Sequence, residues 1–500
     1  MAHNPNKKLS KRRMRRTIER DALALAAWPW LGALGAVIEV VIPPAATGRP
    51  RAFNGASLML LVALRWRAKS LDHAEGYLAD NWERVRRHGL AHGCSLHERP
   101  PRWEYLRTIR EDVRFAELIE ALDPVFIDAG VGTAHAVGLL ADPAGPHIVP
   151  RRSSHLRGDG TTTKHMTAVR TDADGKVRGS RATRLAPRAP EKLVTTKNGA
   201  ELTGYPLTAW TVHGDQRWQR VVLAIAPHPE GDEITVAEAA LHCVLDRTPV
   251  PVTVGYDRLM QGAAQARIMR RGALPIVEHG QADSKVTDPR RVVILPDDLV
   301  PVRGSKATKE TRKGKGRRRR SSDAPTEKRR LAVAQLADAV HAGRHGPCHH
   351  LLATIDTCLV VHDGGSDRDW WHRTEVPPLV RVERVANGDG TYTLWGVWRL
   401  RCEHADRANR YFEHRVELSG KTGRSATANR LAAYPYLHPQ ASGLYGWRND
   451  IESFFSWLKR QMPFHGHATS LRYLDFVFDV IGAGVLNNAI AYDLHGRSDD

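Results

Sequence analysis

The first part of the chain has the hydrophobic periodicity of helices. Apolar residues recur at helical spacing over roughly residues 18–122, and Pro100-Pro101 marks a break within that region. The pattern is clearest in three segments, 57–66, 71–87 and 103–122. It predicts a helical N-terminal domain over residues 1–150.

The pattern changes after residue 150, where short apolar runs alternate with helical segments. The sequence predicts a hairpin, a helix, a buried strand, a second helix and a second strand. These segments are Tyr205–Val212 with Trp218–Ala226, Ile234–Leu245, Val250–Val254, Leu259–Arg271 and Leu274–Val277. Strands that alternate with helices are typical of an α/β sheet, which we expect over residues 151–280.

Residues 281–443 have a different pattern, and we expect a β-rich insertion there. It contains a basic, low-complexity linker at 303–330, in which Arg317–Arg320 are consecutive. The pattern then predicts a helix over Leu331–Val340 and strands over Leu379–Val385 and Tyr392–Cys402. Residues 444–500 are helical again, with apolar faces in Ile451–Gln461 and Tyr473–Ala491.

Charge narrows the list of partners. The 500 residues contain 74 Lys and Arg against 55 Asp and Glu, a formal net charge of +19. Such a basic chain indicates a polyanion as the first partner to test, and an anionic membrane surface as the second. Five cysteines exclude a disulfide scaffold and favour a reducing compartment, so we expect a cytoplasmic protein.

One segment offers an alternative to a cytoplasmic location. Seven basic residues within 7–16 precede an apolar run from Ala22 to Ile38, which is the order of a signal peptide. Glu19 and Asp21 lie at the junction, and Pro29 interrupts the run. We therefore expect a buried helix pair and no membrane partner.

The segment Leu444–Lys459 (LYGWRNDIESFFSWLK) holds the most informative group of charges. On a helix, Arg448, Glu452 and Lys459 share one face, because they are spaced by four and seven residues. An acid between two cations suits a metal ligand flanked by phosphate-binding side chains. An ordinary amphipathic helix with an Arg–Glu pair has the same pattern.

Tyr445, Arg448, Glu452 and Lys459 form the pattern Tyr-x2-Arg-x3-Glu-x6-Lys. This pattern resembles the Y-R-E-K signature of a large branch of DDE insertion-sequence transposases. The resemblance implies an α/β, RNase H-like core of the retroviral-integrase type, interrupted by a β-rich insertion and completed by residues 444–500. It also implies that the glutamate is the third of three catalytic acids, and that Tyr445, Arg448 and Lys459 bind DNA.

Such a core requires two aspartates upstream. Asp257 comes three residues after the run Val250–Val254, and the carboxyl end of a buried strand faces the ligand crevice of an α/β sheet. Asp159 precedes the β-like segment 160–163 and is the preferred first acid. Asp128, behind an apolar run at 125–127, is the alternative.

The resemblance therefore implies a metal-dependent transposase of a mobile element. Asp159, Asp257 and Glu452 would be the catalytic acids and metal ligands for two Mg²⁺ or Mn²⁺ ions. The partners would be double-stranded DNA, at the terminal inverted repeats and the target, and a second copy of the chain in the synaptic complex. A catalytically inactive DNA-binding derivative and a metal-dependent nuclease on the same core are the alternatives.

Overall fold

The computed structural model describes most of the chain outside the long basic linker. The described residues are 5–43, 53–141, 146–164, 170–171, 177–178, 194–197, 200–228, 232–248, 250–257, 260, 262–277, 335–339, 348–355, 357–362, 374–402, 411–419, 431–435, 438, 440–462, 467–470 and 472–497. The expected linker at 303–330 lies outside them. The chain forms two compact units. The first comprises residues 1–143, 151–250 and 448–500, and the second 144–150 and 251–447.

The elements give the protein a mixed α/β composition. The helices are α1 Pro5–Ala27, α2 Leu31–Val41, α3 Gly55–Ala68, α4 Leu71–Ala91, α5 Trp103–Glu111, α6 Phe115–Ala136, α7 Glu233–Asp246, α8 Ala263–Arg270, α9 Ala441–Gly446, α10 Asn449–Gln461 and α11 Tyr473–Gly496. The strands are β1 His147–Ile148, β2 His155–Lys164, β3 Arg170–Thr171, β4 Val177–Arg178, β5 Val194–Lys197, β6 Ala200–His213, β7 Arg220–Pro227, β8 Thr253–Tyr256, β9 Leu274–Val277, β10 Gln335–Ala339, β11 Cys348–Ile355, β12 Cys358–His362, β13 Thr374–Glu375, β14 Leu379–Ala386, β15 Tyr392–Arg401 and β16 Tyr411–Glu417.

Helix α11 is the central helix of the first unit. It is apolar around most of its circumference and packs against α1, α3, α6 and β7. It is the one single helix among the described residues that is long and apolar enough to cross a membrane. However, 89% of its most apolar window is buried inside the protein, as in the core helix of a folded domain.

The predicted helix pair at the start of the chain is confirmed. Helices α1 and α2 meet at an angle of 72°, and Trp28 at the bend is fully buried. Asp21, one of the acids that argued against a signal peptide, is also fully buried and pairs with Arg67 on α3. A carboxylate buried with its partner is a structural element of the helical core.

The helix predicted over 103–122 is in fact two helices. Helix α5 ends at Glu111, and α6 begins at Phe115. Between them, the Asp112 carboxylate accepts a hydrogen bond from the backbone N–H of Arg114 at 2.9 Å. A side-chain bond of this kind offers the backbone a turn in place of the helix, which explains the break.

Antiparallel strands form the sheet of the first unit. Strand β6 lies between β2 and β7, and β5 pairs with the beginning of β6. The predicted hairpin around residues 213–215 is therefore confirmed, and β6 begins earlier than expected. Helix α7 packs on β6 and β7, and it contains the segment predicted as helix over Ile234–Leu245.

The second unit contains a β-α-β element and two antiparallel sheets. Strands β8 and β9 are parallel and are joined through α8. One sheet has the strand order β10-β11-β12-β13, and the other has the order β1-β14-β15-β16. The predicted strands over 379–385 and 392–402 are confirmed as β14 and β15, which pair with each other.

The helix predicted over Leu331–Val340 is wrong. Residues 335–339 instead form β10, which pairs antiparallel with β11 through partners such as Ala337 and His350. Alanine and leucine favour a helix locally, but pairing with a neighbouring strand overrides a weak propensity.

Candidate functional site

Strand β2 carries the first predicted acid, Asp159, near its middle. Alternate residues of a strand share a face, which places Asp159 with Arg157 and Thr161. The strand is held on one side by β6, where Asp159 lies opposite Ala209. The Asp159 side chain is 15% exposed, so it is largely enclosed and still reachable from solvent.

Helix α10 lies along this face of β2 and is joined to it by three polar contacts. Asp450 lies 3.3 Å from the Arg157 guanidinium. Arg448 Nη2 donates to Asp159 Oδ1 at 3.1 Å, and Lys459 Nζ donates to Thr161 Oγ1 at 2.8 Å. Asp450 and Lys459 are nine residues apart on the helix, and their partners Arg157 and Thr161 are four residues apart on the strand. Both separations correspond to roughly 13 Å, so the helix and the strand run in the same direction.

The contact of Asp450 is the most deeply buried of the three. Arg157 is fully buried, and its Nη1 and Nη2 atoms donate to the carbonyl oxygens of His213 and Arg152. Burial lowers the pKa of Arg157 to about 9, although the carboxylate of Asp450 opposes that shift. Asp450 also accepts a hydrogen bond from Arg152 Nη2 at 2.9 Å. Two cations therefore hold the first turn of α10 against the strand.

Glu233 brings a second carboxylate to Asp159. It is the first residue of α7, which is capped by Asp232 through a bond from the Thr235 N–H at 3.2 Å. Oxygen atoms of Glu233 and Asp159 lie within 4.8 Å of each other. Two carboxylates at this spacing are suitable oxygen ligands for a divalent cation such as Mg²⁺ or Mn²⁺.

Gly160 explains how Glu233 reaches this position. A Cβ atom at Gly160 would lie 2.2 Å from Glu233 Oε1, which is far inside van der Waals contact. The glycine therefore makes the space that the carboxylate occupies. Sequence reasoning missed Glu233, although an acid that opens the helix after the hairpin was visible beside Asp232.

Glu452, the third predicted acid, lies elsewhere on α10. It follows Arg448 by one helical turn, and its side chain is exposed. It is not a member of any group of carboxylates, histidines or cysteines at metal-binding spacing among the described residues. Its role as a ligand stays a prediction.

The predicted DNA-binding residues lie on more than one helix. Arg448 occupies the N-cap position of α10 in a helical conformation, and Lys459 lies in the last turn. Tyr445 belongs to the preceding short helix α9 and is half-buried. The single helix expected from Leu444 onwards is therefore interrupted at residues 447–448.

Asp257, the second predicted acid, belongs to the second unit. It directly follows β8, whose four residues are all buried, and its own side chain is half-buried. Strand β8 pairs in parallel with β9 and is followed by α8, so the predicted strand context is confirmed. The strand begins at Thr253 rather than at Val250.

Asp128, the alternative first acid, is on a helix. It lies in the C-terminal half of α6, where it forms an ion pair with Arg247 and is 58% exposed. An exposed, paired aspartate on a helix surface is an ordinary feature of a soluble fold.

No family of proteins, no curated protein and no solved structure matches this chain.

Proposed function

We propose that the protein is a metal-dependent DNA transposase that cleaves and joins phosphodiester bonds on an RNase H-like core. The observation that carries the proposal is the placement of two acids and two cations around one strand. The carboxylates of Asp159 and Glu233 are close enough to share a cation. Helix α10 holds Arg448 and Lys459 against the strand that carries Asp159.

The acids are the proposed metal ligands. Asp159 and Glu233 would hold one divalent ion, and we propose that Asp257 contributes a third carboxylate from the end of its strand. Two such ions, when bound, activate a water or a 3′-hydroxyl and stabilise the leaving oxygen of an in-line displacement at phosphorus. The Y-R-E-K signature instead predicts Glu452 as a metal ligand. Glu233 and Glu452 are therefore the two candidates for the glutamate ligand.

The cations are the proposed phosphate ligands. Arg448 neutralises Asp159 in the free protein, and a metal ion on Asp159 would free the guanidinium for a phosphate near the cut. Lys459 supplies a point charge about three helical turns further along α10, and Tyr445 supplies a third DNA contact. Double-stranded DNA and a second copy of the chain in a synaptic complex are the partners of this proposal, and its location is the cytoplasm.

The net charge of +19 supports a DNA partner. Its two densest basic runs are at residues 7–16 and 303–330. Such runs give affinity for phosphates that does not depend on base sequence and that falls steeply with salt. They would bring DNA to the protein, while Arg448 and Lys459 would place one phosphate.

A cleavage and strand-transfer assay tests the proposal. The full chain is incubated with Mg²⁺ or Mn²⁺, a linear DNA that carries the sequences flanking its gene, and a supercoiled target plasmid. We expect cut and joined products on a denaturing gel. Asp159→Asn and Asp257→Asn should each reduce them by about a hundredfold or more, since supporting residues alone contribute about 10–100-fold.

Three variants complete the assay. Asp128→Asn is the matched control, because this aspartate is exposed and paired on α6. Glu233→Gln and Glu452→Gln rank the two candidate acids. Full activity in Asp159→Asn or Asp257→Asn would contradict the site. Cutting without joining would instead indicate the metal-dependent nuclease, because the same carboxylates and metal ions can support hydrolysis without strand transfer. DNA binding without either product would indicate the inactive derivative.

A further inference from the structure

A second site lies at the far end of α10, in a cavity of about 380 Å³ within the first unit. Pockets that bind small molecules usually have volumes of about 300–1,000 Å³. The walls come from the end of α3, the start of α4, α5, the end of α10, residues 467–470 and the start of α11. The proposed catalytic acids do not line it.

Basic side chains outnumber acidic ones in the cavity wall. Three bases, Arg65, Lys69 and Arg110, face two acids, Asp72 and Asp479. Asp479 is almost fully buried, and both arginines donate to the same oxygen, Oδ1. Ser470 Oγ donates to the other oxygen at 2.6 Å. With Asp475, which lies 4.0 Å from Arg110 and pairs with Arg472, three guanidinium groups face two carboxylates, which leaves an excess of positive charge.

Arg110 also retains unused hydrogen-bonding capacity. Its Nε atom is buried and has no acceptor among the described residues, and Asp475 Oδ1 lies 4.0 Å from it. Asp475 is itself hydrogen-bonded to Arg472 at 2.8 Å. A buried donor without an acceptor is costly, so an anionic ligand that reaches Arg110 would be favoured.

Backbone geometry adds to the positive potential. Helix α4 begins at the cavity wall, with Ser70 as its N-cap, and the N-terminus of a helix carries a partial positive charge. Lys69 precedes it in a left-handed conformation with φ of 65°. The rest of the wall includes the apolar residues Trp66, Leu71, Met462 and Phe476. Positive and apolar surfaces thus meet in one cavity.

We propose that this cavity binds a nucleotide 5′-phosphate, either as a free mononucleotide or as the terminal nucleotide of a DNA strand. The phosphate lies between Arg110, Lys69 and the start of α4, and the base lies against the apolar wall. The site is separate from the proposed catalytic acids, so its failure would leave the catalytic proposal untouched, and the reverse also holds.

Calorimetric titration of the full chain without added metal tests the site. The ligands are inorganic phosphate, deoxyadenosine, deoxyadenosine 5′-monophosphate and a short single strand with a 5′-phosphate. We expect the monophosphate or the strand to bind more tightly than phosphate or nucleoside alone. The strand is the source if it binds more tightly than both the monophosphate and the same strand with a 5′-hydroxyl, because the basic runs bind any strand. Otherwise the free mononucleotide is the source.

Two exposed residues of the wall provide variants that should fold. Lys69→Asn removes a charge, and asparagine tolerates the left-handed backbone, so binding should weaken by up to about fivefold. Asp72→Asn removes the exposed acid and should tighten binding by a similar factor. Opposite shifts in these variants support the site. Absence of nucleotide binding, or an affinity that neither variant changes, would overturn it.

Discussion

Gly160→Ala separates Glu233 from Glu452, the two candidates for the glutamate ligand of the metal. The new Cβ atom would lie 2.2 Å from Glu233 Oε1 and 2.3 Å from its Cδ. An ordinary contact needs about 3.4 Å, so the carboxylate must move by about 1 Å. Metal–ligand distances tolerate about ±0.2 Å, and a shift of this size removes Glu233 as a ligand shared with Asp159. We expect Mn²⁺ affinity to fall by about 10–100-fold.

The stability cost of this change should be small. The atoms in conflict are at the end of a flexible side chain, so the carboxylate can turn away at a cost of about 1 kcal/mol or less. Mn²⁺ binding is measured by calorimetry and the free energy of unfolding by urea denaturation. Gly76→Ala on α4 is the matched control, because a Cβ atom there meets nothing within 4 Å. Unchanged Mn²⁺ affinity in Gly160→Ala would refute the role of Glu233 and favour Glu452.

Two further predictions concern stability. Asp450→Asn should lower the free energy of unfolding by about 3–5 kcal/mol in urea denaturation, because Arg157 is fully buried and would lose its charged partner. A loss under about 1 kcal/mol would contradict the role of Asp450 in holding α10 against β2. Burial raises the pKa of the Asp123 carboxyl from 3.8 to about 6, so the folded state binds the carboxyl proton more tightly than the unfolded state does. The free energy of unfolding of the wild type should therefore fall by up to about 3 kcal/mol as pH rises from 4 to 6. Asp123→Asn should lack this contribution and be the more stable protein at pH 7; equal pH profiles would disprove the assignment.

Local patterns predicted most of the elements correctly. The hairpin of β6 and β7, the strand before Asp257 and the long apolar helix α11 all have regular spacing and clear turn residues. The errors arose where distant pairing or a side chain decided the outcome. Strand β10 forms because β11 is available, and α5 ends because Asp112 binds the backbone.

The candidate site was predictable only in part. Asp159, Arg448 and Lys459 were found from short motifs, and the structure adds their contacts along β2. Glu233 belongs to no motif and becomes visible only when α7 is folded against Gly160. Helical spacing put Arg448 and Glu452 on one face, but it did not show that Asp159 contacts the arginine and that the glutamate is exposed.

The central position of α11 has a consequence for how the chain folds. Its partners α1 and α3 are made first, while α11 itself is close to the end of the described chain. Trp66 on α3 donates to the carbonyl oxygen of Asp479, a contact that spans 413 residues. At synthesis rates of about 5–20 residues per second, the early helices wait roughly 20 seconds or longer for this partner. During that interval the faces of α1 and α3 that pack on α11 are uncovered, and the Asp159–Arg448 contact cannot form before Arg448 is made.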